Sequence, residues 1–174
     1  MRIAPELEGA TSRTSWIPTG SLGIELTIFR MRRLVRGALG SPLLAETAAG
    51  IVAGSGSSVE AAERIRAFLE LVVEFTPDPD GSELLKSPRY MLREIQELGR
   101  VRGDCDDVAI LGAALGRAVG LPARFVLLAF VHGAPFEHVY TELLTADGWL
   151  ELDTTKPHQL PSGLRIVRTA VREA

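Results

Sequence analysis

The hydrophobic pattern of the chain changes at Gly120, and this change constrains the fold more than any other feature of the sequence. Before Gly120, apolar residues recur at the three- and four-residue spacing of amphipathic helices, whereas after it they come in short runs typical of β-strands. Residues 104–119 form the last predicted helix, which Gly120 ends. Residues 123–131, "ARFVLLAFV", are nearly all apolar, as in a buried central strand. The sequence therefore predicts an α+β fold, in which a helical N-terminal half precedes one further helix and a small antiparallel sheet.

Further helices are predicted in the first half of the chain. One follows Thr19 and ends at Gly37 or Gly40, one begins at Ser41, one is capped by Ser58, and one ends at Gly99. Their apolar faces predict packing against one core, although the arginines of the first helix leave a membrane-surface or partner-binding role open. Residues 1–18 are polar and irregular in pattern, and we expect a loosely ordered segment there. With 174 residues, the chain is predicted to form a single domain over residues 1–174.

The composition argues against several classes of function. The formal net charge of −3 does not indicate a nucleic-acid-binding protein, and no apolar stretch reaches the roughly 18 residues of a membrane span. The N-terminus lacks the apolar segment of a secretory signal, so we expect a cytoplasmic protein. No Cys and His spacing matches a zinc site, and residues 78–89 lack the glycine at the sixth position and the glutamate at the twelfth that a calcium loop requires. We therefore expect no metal and no cofactor.

The only cysteine, Cys105, stands in "GDCDD" at the expected start of the helix over residues 104–119. With Asp104 as the N-cap, Asp107 falls at the third helical position, and the two carboxylates are predicted to bind free N–H groups of the first turn. The positive end of the helix dipole favours a thiolate, whereas Asp104, Asp106 and Asp107 oppose it. A lone cysteine is commonly a buried structural residue, so a reactive thiol here requires a nearby imidazole.

His138 is the best candidate for that imidazole among the three histidines of the chain. It lies in the middle of "FEHVYTELL", a predicted strand, whereas His132 and His158 fall in loops with glycine or proline neighbours. Asp153 ends the next predicted strand, "WLELD", and is the candidate that orients the imidazole.

The turn between these two strands decides whether His138 and Asp153 can meet. A two-residue turn at residues 147–148 would pair Glu142 with Asp153 and leave His138 roughly 13 Å away along the strand. A four-residue loop over residues 144–147 would instead place His138 opposite Asp153. The sequence therefore permits a triad, provided that the "DG" pair at residues 147–148 does not make the tightest hairpin.

These sequence contexts together resemble the transglutaminase-like superfamily, in particular the bacterial transglutaminase-like cysteine proteinases and the short transglutaminase-like proteins of bacterial and phage genomes. The resemblance covers about residues 60–157 and is carried by "RYMLREIQELGRVRGDCDD", "HVYTEL" and "WLELDTT". It implies a papain-related core in which the nucleophile helix packs on the antiparallel sheet. It also implies a triad of Cys105 as nucleophile, His138 as base and Asp153 as the residue that orients the base.

The resemblance implies a thiol-dependent acyl-transfer enzyme that acts on a protein or peptide amide, and it favours a cysteine protease or amidase over a cross-linking enzyme. The oxyanion donor upstream of the nucleophile has two candidates, Gln96 and Tyr90. The alternative is a catalytically silent transglutaminase-like module that serves as a structural or assembly component, for example of a phage particle. The helical N-terminal half would then bind the assembly partner, and the protein would be part of a virion.

Overall fold

The computed structural model describes residues 2–8, 11–17, 20–79, 83–155 and 165–174. Within these ranges the helices are α1 (Ser21–Ala38), α2 (Pro42–Ile51), α3 (Ser58–Val72), α4 (Pro88–Leu98) and α5 (Cys105–Ala118). The strands there are β1 (Arg2–Glu8), β2 (Thr11–Ile17), β3 (Val73–Phe75), β4 (Leu85–Lys86), β5 (Val101–Gly103), β6 (Ala123–Ala129), β7 (His138–Thr145), β8 (Gly148–Glu151) and β9 (Arg168–Glu173).

The described strands form three sheets. The largest has the order β8-β7-β6-β9 and is antiparallel throughout. A short parallel pair joins β3 to β5, and the β1–β2 hairpin gains β4 as a parallel partner of β1. The α+β fold class is confirmed, because most of the helices precede an antiparallel sheet on which α5 packs.

Helix α5 lies at the centre of the fold, where it contacts the four other described helices and packs on β7. Two glycines allow these close approaches. A Cβ at Gly116 would lie only 2.2 Å from a methyl carbon of Leu143, and a Cβ at Gly112 would lie 3.3 Å from methyl carbons of Leu69 and Leu152. Because its neighbours surround α5, the position of its N-terminal residue is set by the whole core.

The helix boundaries agree with the sequence except at the start of α3. Ser57, not Ser58, is the N-cap, and its hydroxyl accepts a hydrogen bond from the N–H of Glu60 at 3.1 Å. Ser58 accepts one from the N–H of Ala146 at 2.9 Å and so ties α3 to the turn between β7 and β8. The predicted cap at Ser58 is therefore wrong by one residue, because a tertiary contact takes the second of two adjacent serines. Helix α4 ends at Gly99, as predicted, in the left-handed conformation with a φ of 72°.

The expectation of irregular structure over residues 1–18 is wrong where the structure describes the chain, because β1 and β2 lie there. The two strands pair antiparallel from Arg2–Ile17 to Glu8–Thr11. Glu6 and Leu7 of β1 also pair with the two residues of β4. Backbone pairing, which needs no apolar alternation when side chains are polar, forms these strands. The single domain over residues 1–174 stays a prediction.

Candidate active site

Cys105 is the first residue of α5 and follows β5 after a single residue. Asp104 between them is extended, with φ −107° and ψ −159°, so the chain turns into the helix at this point. A Cβ on Gly103 would lie 2.9 Å from both the Cβ and a carboxylate oxygen of Asp107. Glycine is therefore required before the helix. Cys105 forms no disulfide, and its partly buried side chain borders a cavity.

His138 and Asp153 form a pair that is sealed from solvent. His138 Nε2 lies 2.7 Å from Asp153 Oδ2, and both side chains are 0% exposed. The other carboxylate oxygen, Oδ1, accepts hydrogen bonds from the N–H and the hydroxyl of Thr155, each at 3.3 Å. The carboxylate is thus held from two sides, and it fixes the orientation of the imidazole ring.

The β7–β8 hairpin brings His138 and Asp153 together. Its register is intermediate between that of a two-residue turn at residues 147–148 and that of a four-residue loop over residues 144–147. Thr145 pairs with Gly148 around a two-residue turn at residues 146–147. The hydroxyl of Thr145 donates to Gly148 O at 2.8 Å and accepts from the N–H of Asp147 at 3.2 Å. Gly148 has a φ of 108°, which favours glycine. The turn therefore does not lie at residues 147–148, as a triad requires, and the four-residue loop is not formed either, because the threonine hydroxyl closes a two-residue turn one residue earlier than the "DG" pair.

This register carries Asp153 past the end of β8 to the level of Tyr140. The ladder continues for one residue, since the N–H of Leu152 donates to Thr141 O at 2.8 Å. His138 and Tyr140 are two residues apart and share a strand face, so His138 reaches Asp153 diagonally. His138 is the first residue of β7 rather than the middle of a strand.

The second ring nitrogen of His138 is the one that can serve Cys105. Nε2 is occupied by Asp153, and a further hydrogen bond joins the imidazole to Cys105, which leaves Nδ1 for the thiol. Burial lowers the pKa of His138, but the hydrogen bonds that the imidazole donates to Asp153 and Cys105, and the charges of those two groups, raise it more, to about 10. The imidazolium form is therefore favoured at neutral pH, which is the state that stabilises a neighbouring thiolate.

Asp106 lies in the first turn of α5 and is only 4% exposed. Its Oδ1 accepts a hydrogen bond from the N–H of Asp107 at 2.8 Å. Burial raises the pKa of Asp106 well above its ordinary value, and the adjacent carboxylate of Asp104 raises it further. Asp104 makes no side-chain cap bond to the helix. A hydrogen bond between the side chains of Asp106 and Asp104 also raises the pKa of Asp106, so the neutral form of Asp106 is favoured.

Asp107 turns away from its own helix and binds β4. Its Oδ1 accepts from the N–H of Lys86 at 2.7 Å, and its Oδ2 lies 2.5 Å from the Lys86 ammonium. Burial raises the pKa of Asp107 to about 7 even though Lys86 lowers it. Burial lowers the pKa of Lys86, and Asp107 raises it above its ordinary value. The predicted capping box of Asp104 and Asp107 is therefore wrong, because a cation from another element offers the buried carboxylate a stronger partner than the helix does.

These pairings reduce the negative charge around the thiol. One of the three aspartates favours its neutral form and another is paired with Lys86. The three aspartates therefore destabilise a thiolate at Cys105 much less than three unpaired carboxylates would.

The cavity beside Cys105 has a volume of about 600 Å³. His138, Asp104 and Asp106 line it together with Cys105. The two oxyanion candidates do not line it, because both lie on α4: Gln96 is exposed and Tyr90 packs against the hydrophobic core. Neither is therefore in place to donate to a substrate in this cavity.

The other two histidines have different outcomes. His132 lies in an exposed turn between β6 and β7 and is not one of the residues that line the cavity. His158 lies outside the described residues, so its expected loop position stays a prediction.

The acidic residues Asp104, Asp106 and Asp107 each place one oxygen within 4.8 Å of the others and are the described group that could hold a cation. Lys86 already pairs with Asp107, and Asp106 favours its neutral form, so most of the negative charge of the cluster is compensated by the protein itself.

Two residues that shape the site were missed by the sequence reasoning, Lys86 and Thr155. Lys86 pairs with a residue 21 positions later through a two-residue strand, and no local pattern announces such a contact. Thr155 was detectable, since threonine two residues after aspartate commonly closes a local turn with the carboxylate.

Two solved structures resemble this fold. One, a proposed protease from Parabacteroides distasonis, is 13% identical with a TM-score of 0.58 and is matched over 83% of this chain and 31% of its own length. The other, a proposed cysteine protease from Cytophaga hutchinsonii, is 24% identical with a TM-score of 0.49, over 73% of this chain and 41% of its own. The chain thus spans less than half the length of either protein. The first likeness supports the fold.

Among the described residues, none of the helices combines the length and the apolar character needed to cross a bilayer.

No curated protein matches the sequence. The sequence model of the transglutaminase-like superfamily matches residues 45–154, which include Cys105, His138 and Asp153. Because this match covers more than half of the 174 residues, the chain belongs to the transglutaminase-like superfamily.

Proposed function

We propose that the protein is a cysteine peptidase or amidase in which Cys105 is the nucleophile, His138 the general base and acid, and Asp153 the residue that orients the imidazole. One observation carries this proposal: a single buried imidazole bonds Asp153 at 2.7 Å through Nε2 and also bonds Cys105. A structural cysteine has no need of an imidazole that a buried carboxylate holds in place. The position of the thiol on a cavity adds to this support.

The chemistry follows from the two bonds of the imidazole. The thiolate of Cys105 attacks the carbonyl carbon of the amide, and the π electrons move to the oxygen. When this intermediate collapses, the C–N bond breaks and His138 gives its proton to the leaving amine. Water then attacks the thioester while His138 takes one of its protons. The S–C bond breaks, a carboxylic acid leaves, and the thiolate–imidazolium pair is restored.

The start of α5 is the best candidate for stabilising the oxyanion. The first N–H groups of a helix have no acceptor within the helix, and they point towards its N-terminal end. Val108 N–H already donates to Asp104 O, and Asp107 N–H donates to Asp106 Oδ1. The N–H of Cys105 precedes both and is adjacent to the sulfur, which is where an oxyanion donor must lie.

The test uses the fact that the chain has one cysteine, so every thiol modification reports on Cys105. Wild type should react with iodoacetamide rapidly at pH 6–7, and His138→Ala should slow this reaction sharply. Turnover of a mixture of unstructured peptides, followed by mass spectrometry, should fall at least about a thousandfold in Cys105→Ala and His138→Ala and less in Asp153→Asn. His132→Ala, a change in an exposed turn, is the matched control.

Oxygen-18-labelled water with an added primary amine separates the two fates of the thioester. Hydrolysis places the label in the new carboxyl group, whereas cross-linking leaves an amide that carries the added amine. Equal alkylation rates in wild type and His138→Ala, with no turnover of any peptide, would instead favour the non-enzymatic assembly module.

A further inference from the structure

The cavity that contains Cys105 continues along the molecule. A second depression of about 340 Å³ lies next to it, and the two share Gly20, Ile24, Pro135 and Phe136. The two volumes lie in the size range of ligand-binding pockets, and because the depressions adjoin, a ligand that enters both extends beyond the group that Cys105 attacks. An amide with a chain on both sides fits this shape better than a small isolated amide.

One wall of the Cys105 cavity is apolar. Ile24, Ile28 and Met31 reach it from one face of α1, at the spacing of successive helical turns. Leu127 and Val139 continue the apolar surface from adjacent positions on β6 and β7. Of these residues only Ile24 is partly exposed, and the other four are 8% exposed or less, so the apolar surface that a substrate side chain next to Cys105 can cover is mainly that of Ile24.

The rest of the lining is acidic. Glu83, Asp104 and Glu137 line the Cys105 cavity, and among the described residues that line it there is neither lysine nor arginine. Asp106 adds little charge, because burial favours its neutral form. In the neighbouring depression Glu25 pairs with Arg172, whereas Arg168 keeps its positive charge: it donates to Ala134 O and lies over the ring of Phe136. Near Cys105 the carboxylates of Glu83, Asp104 and Glu137 outnumber the imidazolium of His138, so a substrate meets a negative potential there and a positive charge at the far end of the cleft.

We propose that the cleft takes an extended peptide with an aliphatic side chain against α1 and a lysine or arginine within one or two residues of the scissile amide. This inference rests on the proposed peptidase function and specifies its substrate class. The apolar wall selects the aliphatic group by burying it. The acidic rim raises the local concentration of cationic peptides and disfavours aspartate and glutamate near the bond.

The experiment compares kcat/KM within sets of quenched fluorescent peptides in which one position at a time is varied on each side of the scissile bond. At one position, leucine should exceed alanine by about tenfold or more, as expected for lost methylene groups in an apolar site. At a neighbouring position, lysine should exceed glutamine, and glutamine should exceed glutamate, by about two- to fivefold each, the range of exposed charge pairs.

Two pairs of variants assign these preferences to the cleft. Ile24→Ala should lower the leucine-to-alanine ratio, and Leu71→Ala, on the exposed face of α3, should not. Glu137→Gln should lower the lysine-to-glutamate ratio, and Glu97→Gln, exposed on α4, should not. Turnover with equal rates across the sets would overturn this inference and leave the peptidase function standing. Absence of turnover for every peptide would overturn both.

Discussion

Helices α4 and α5 follow one another in the chain and begin in opposite ways. At the start of α4, the Ser87 hydroxyl accepts a hydrogen bond from the N–H of Tyr90 at 3.2 Å, and Pro88 occupies the first helical position. Helix α5 begins after Asp104, which makes no side-chain cap bond, and its first turn holds a thiol and two buried carboxyl groups. The free N–H groups at the start of α4 find an acceptor in a residue adjacent in sequence, whereas the first turn of α5 depends on a side chain from a distant element.

The difference shows that the start of α5 is not arranged for stability. Buried carboxyl groups cost free energy unless they are paired or protonated, and a serine cap avoids that cost altogether. At α5 the cost is offset by Lys86 and by the hydrogen bond between the side chains of Asp104 and Asp106. The result is an uncapped helix end beside a thiol and an imidazole, which is the arrangement that the proposed chemistry needs.

The largest effect on stability is expected from removing the distant cation. Lys86→Met leaves the carboxylate of Asp107, which is 1% exposed, without its partner, and should lower the free energy of unfolding by about 3 kcal/mol or more near pH 8. The loss should be smaller at pH 5. Burial already raises the pKa of Asp107 to about 7, and without Lys86 it rises further, so the folded variant takes up a proton as the pH falls.

Two controls make this comparison sharp, with urea unfolding at both pH values as the measurement. Arg66→Met breaks an exposed pair with Glu70 and should cost less than about 0.5 kcal/mol at either pH. Lys86→Met combined with Asp107→Asn removes the unpaired charge and should recover most of the loss at pH 8. If Lys86→Met costs no more than Arg66→Met, the start of α5 does not depend on its distant cation.

The second effect concerns the imidazole that serves the thiol. The pKa of His138 is raised to about 10 in the folded protein, against about 6.5 in an unfolded chain. The stabilisation from this group is therefore complete below about pH 6.5 and is lost as the pH rises towards 10. Between pH 7 and 9, the free energy of unfolding of wild type should fall by up to about 1.4 kcal/mol per pH unit because of this group.

His138→Gln should make that pH dependence flatter, and His132→Gln, in an exposed turn, should leave it as in wild type. The slope of unfolding free energy against pH is the measured quantity. Equal slopes in all three proteins would mean that His138 is not held as an imidazolium by Asp153 and Cys105.

The sequence predicted the parts of the site that depend on local patterns. Cys105 stands at a helix start marked by its own neighbours, His138 begins β7, and Asp153 lies two residues beyond the end of β8, next to strands marked by apolar runs. The α+β class followed from the same patterns. These local patterns can be recognised in the sequence without knowing which helices and strands contact one another.

What the sequence could not predict depends on contacts between elements. The hydroxyl of Thr145 determines the register of the β7–β8 hairpin. From the sequence, a turn at residues 147–148 is equally plausible. Strands β1 and β2 form by pairing with each other, and β1 also pairs with β4, a contact between distant parts of the chain. The partner of Asp107 was missed for the same reason, because β4 has only two residues and carries no recognisable strand signal.

The smallest effect tests the two helix starts directly. Ser87→Ala removes the hydroxyl that accepts from Tyr90 N–H and should cost about 1 kcal/mol, as loss of a cap usually does. Asp104→Ala removes no cap bond from α5, and it takes away the negative charge that raises the pKa of Asp106. It should therefore cost less than Ser87→Ala at pH 8, because the hydrogen bond that it removes from Asp106 is offset by the loss of a negative charge beside that buried carboxyl group, although Asp104 occupies the cap position. Unfolding free energies of the two variants at that pH decide the matter. A larger loss in Asp104→Ala would mean that its carboxylate stabilises the helix start, and the contrast between α4 and α5 would then be one of degree.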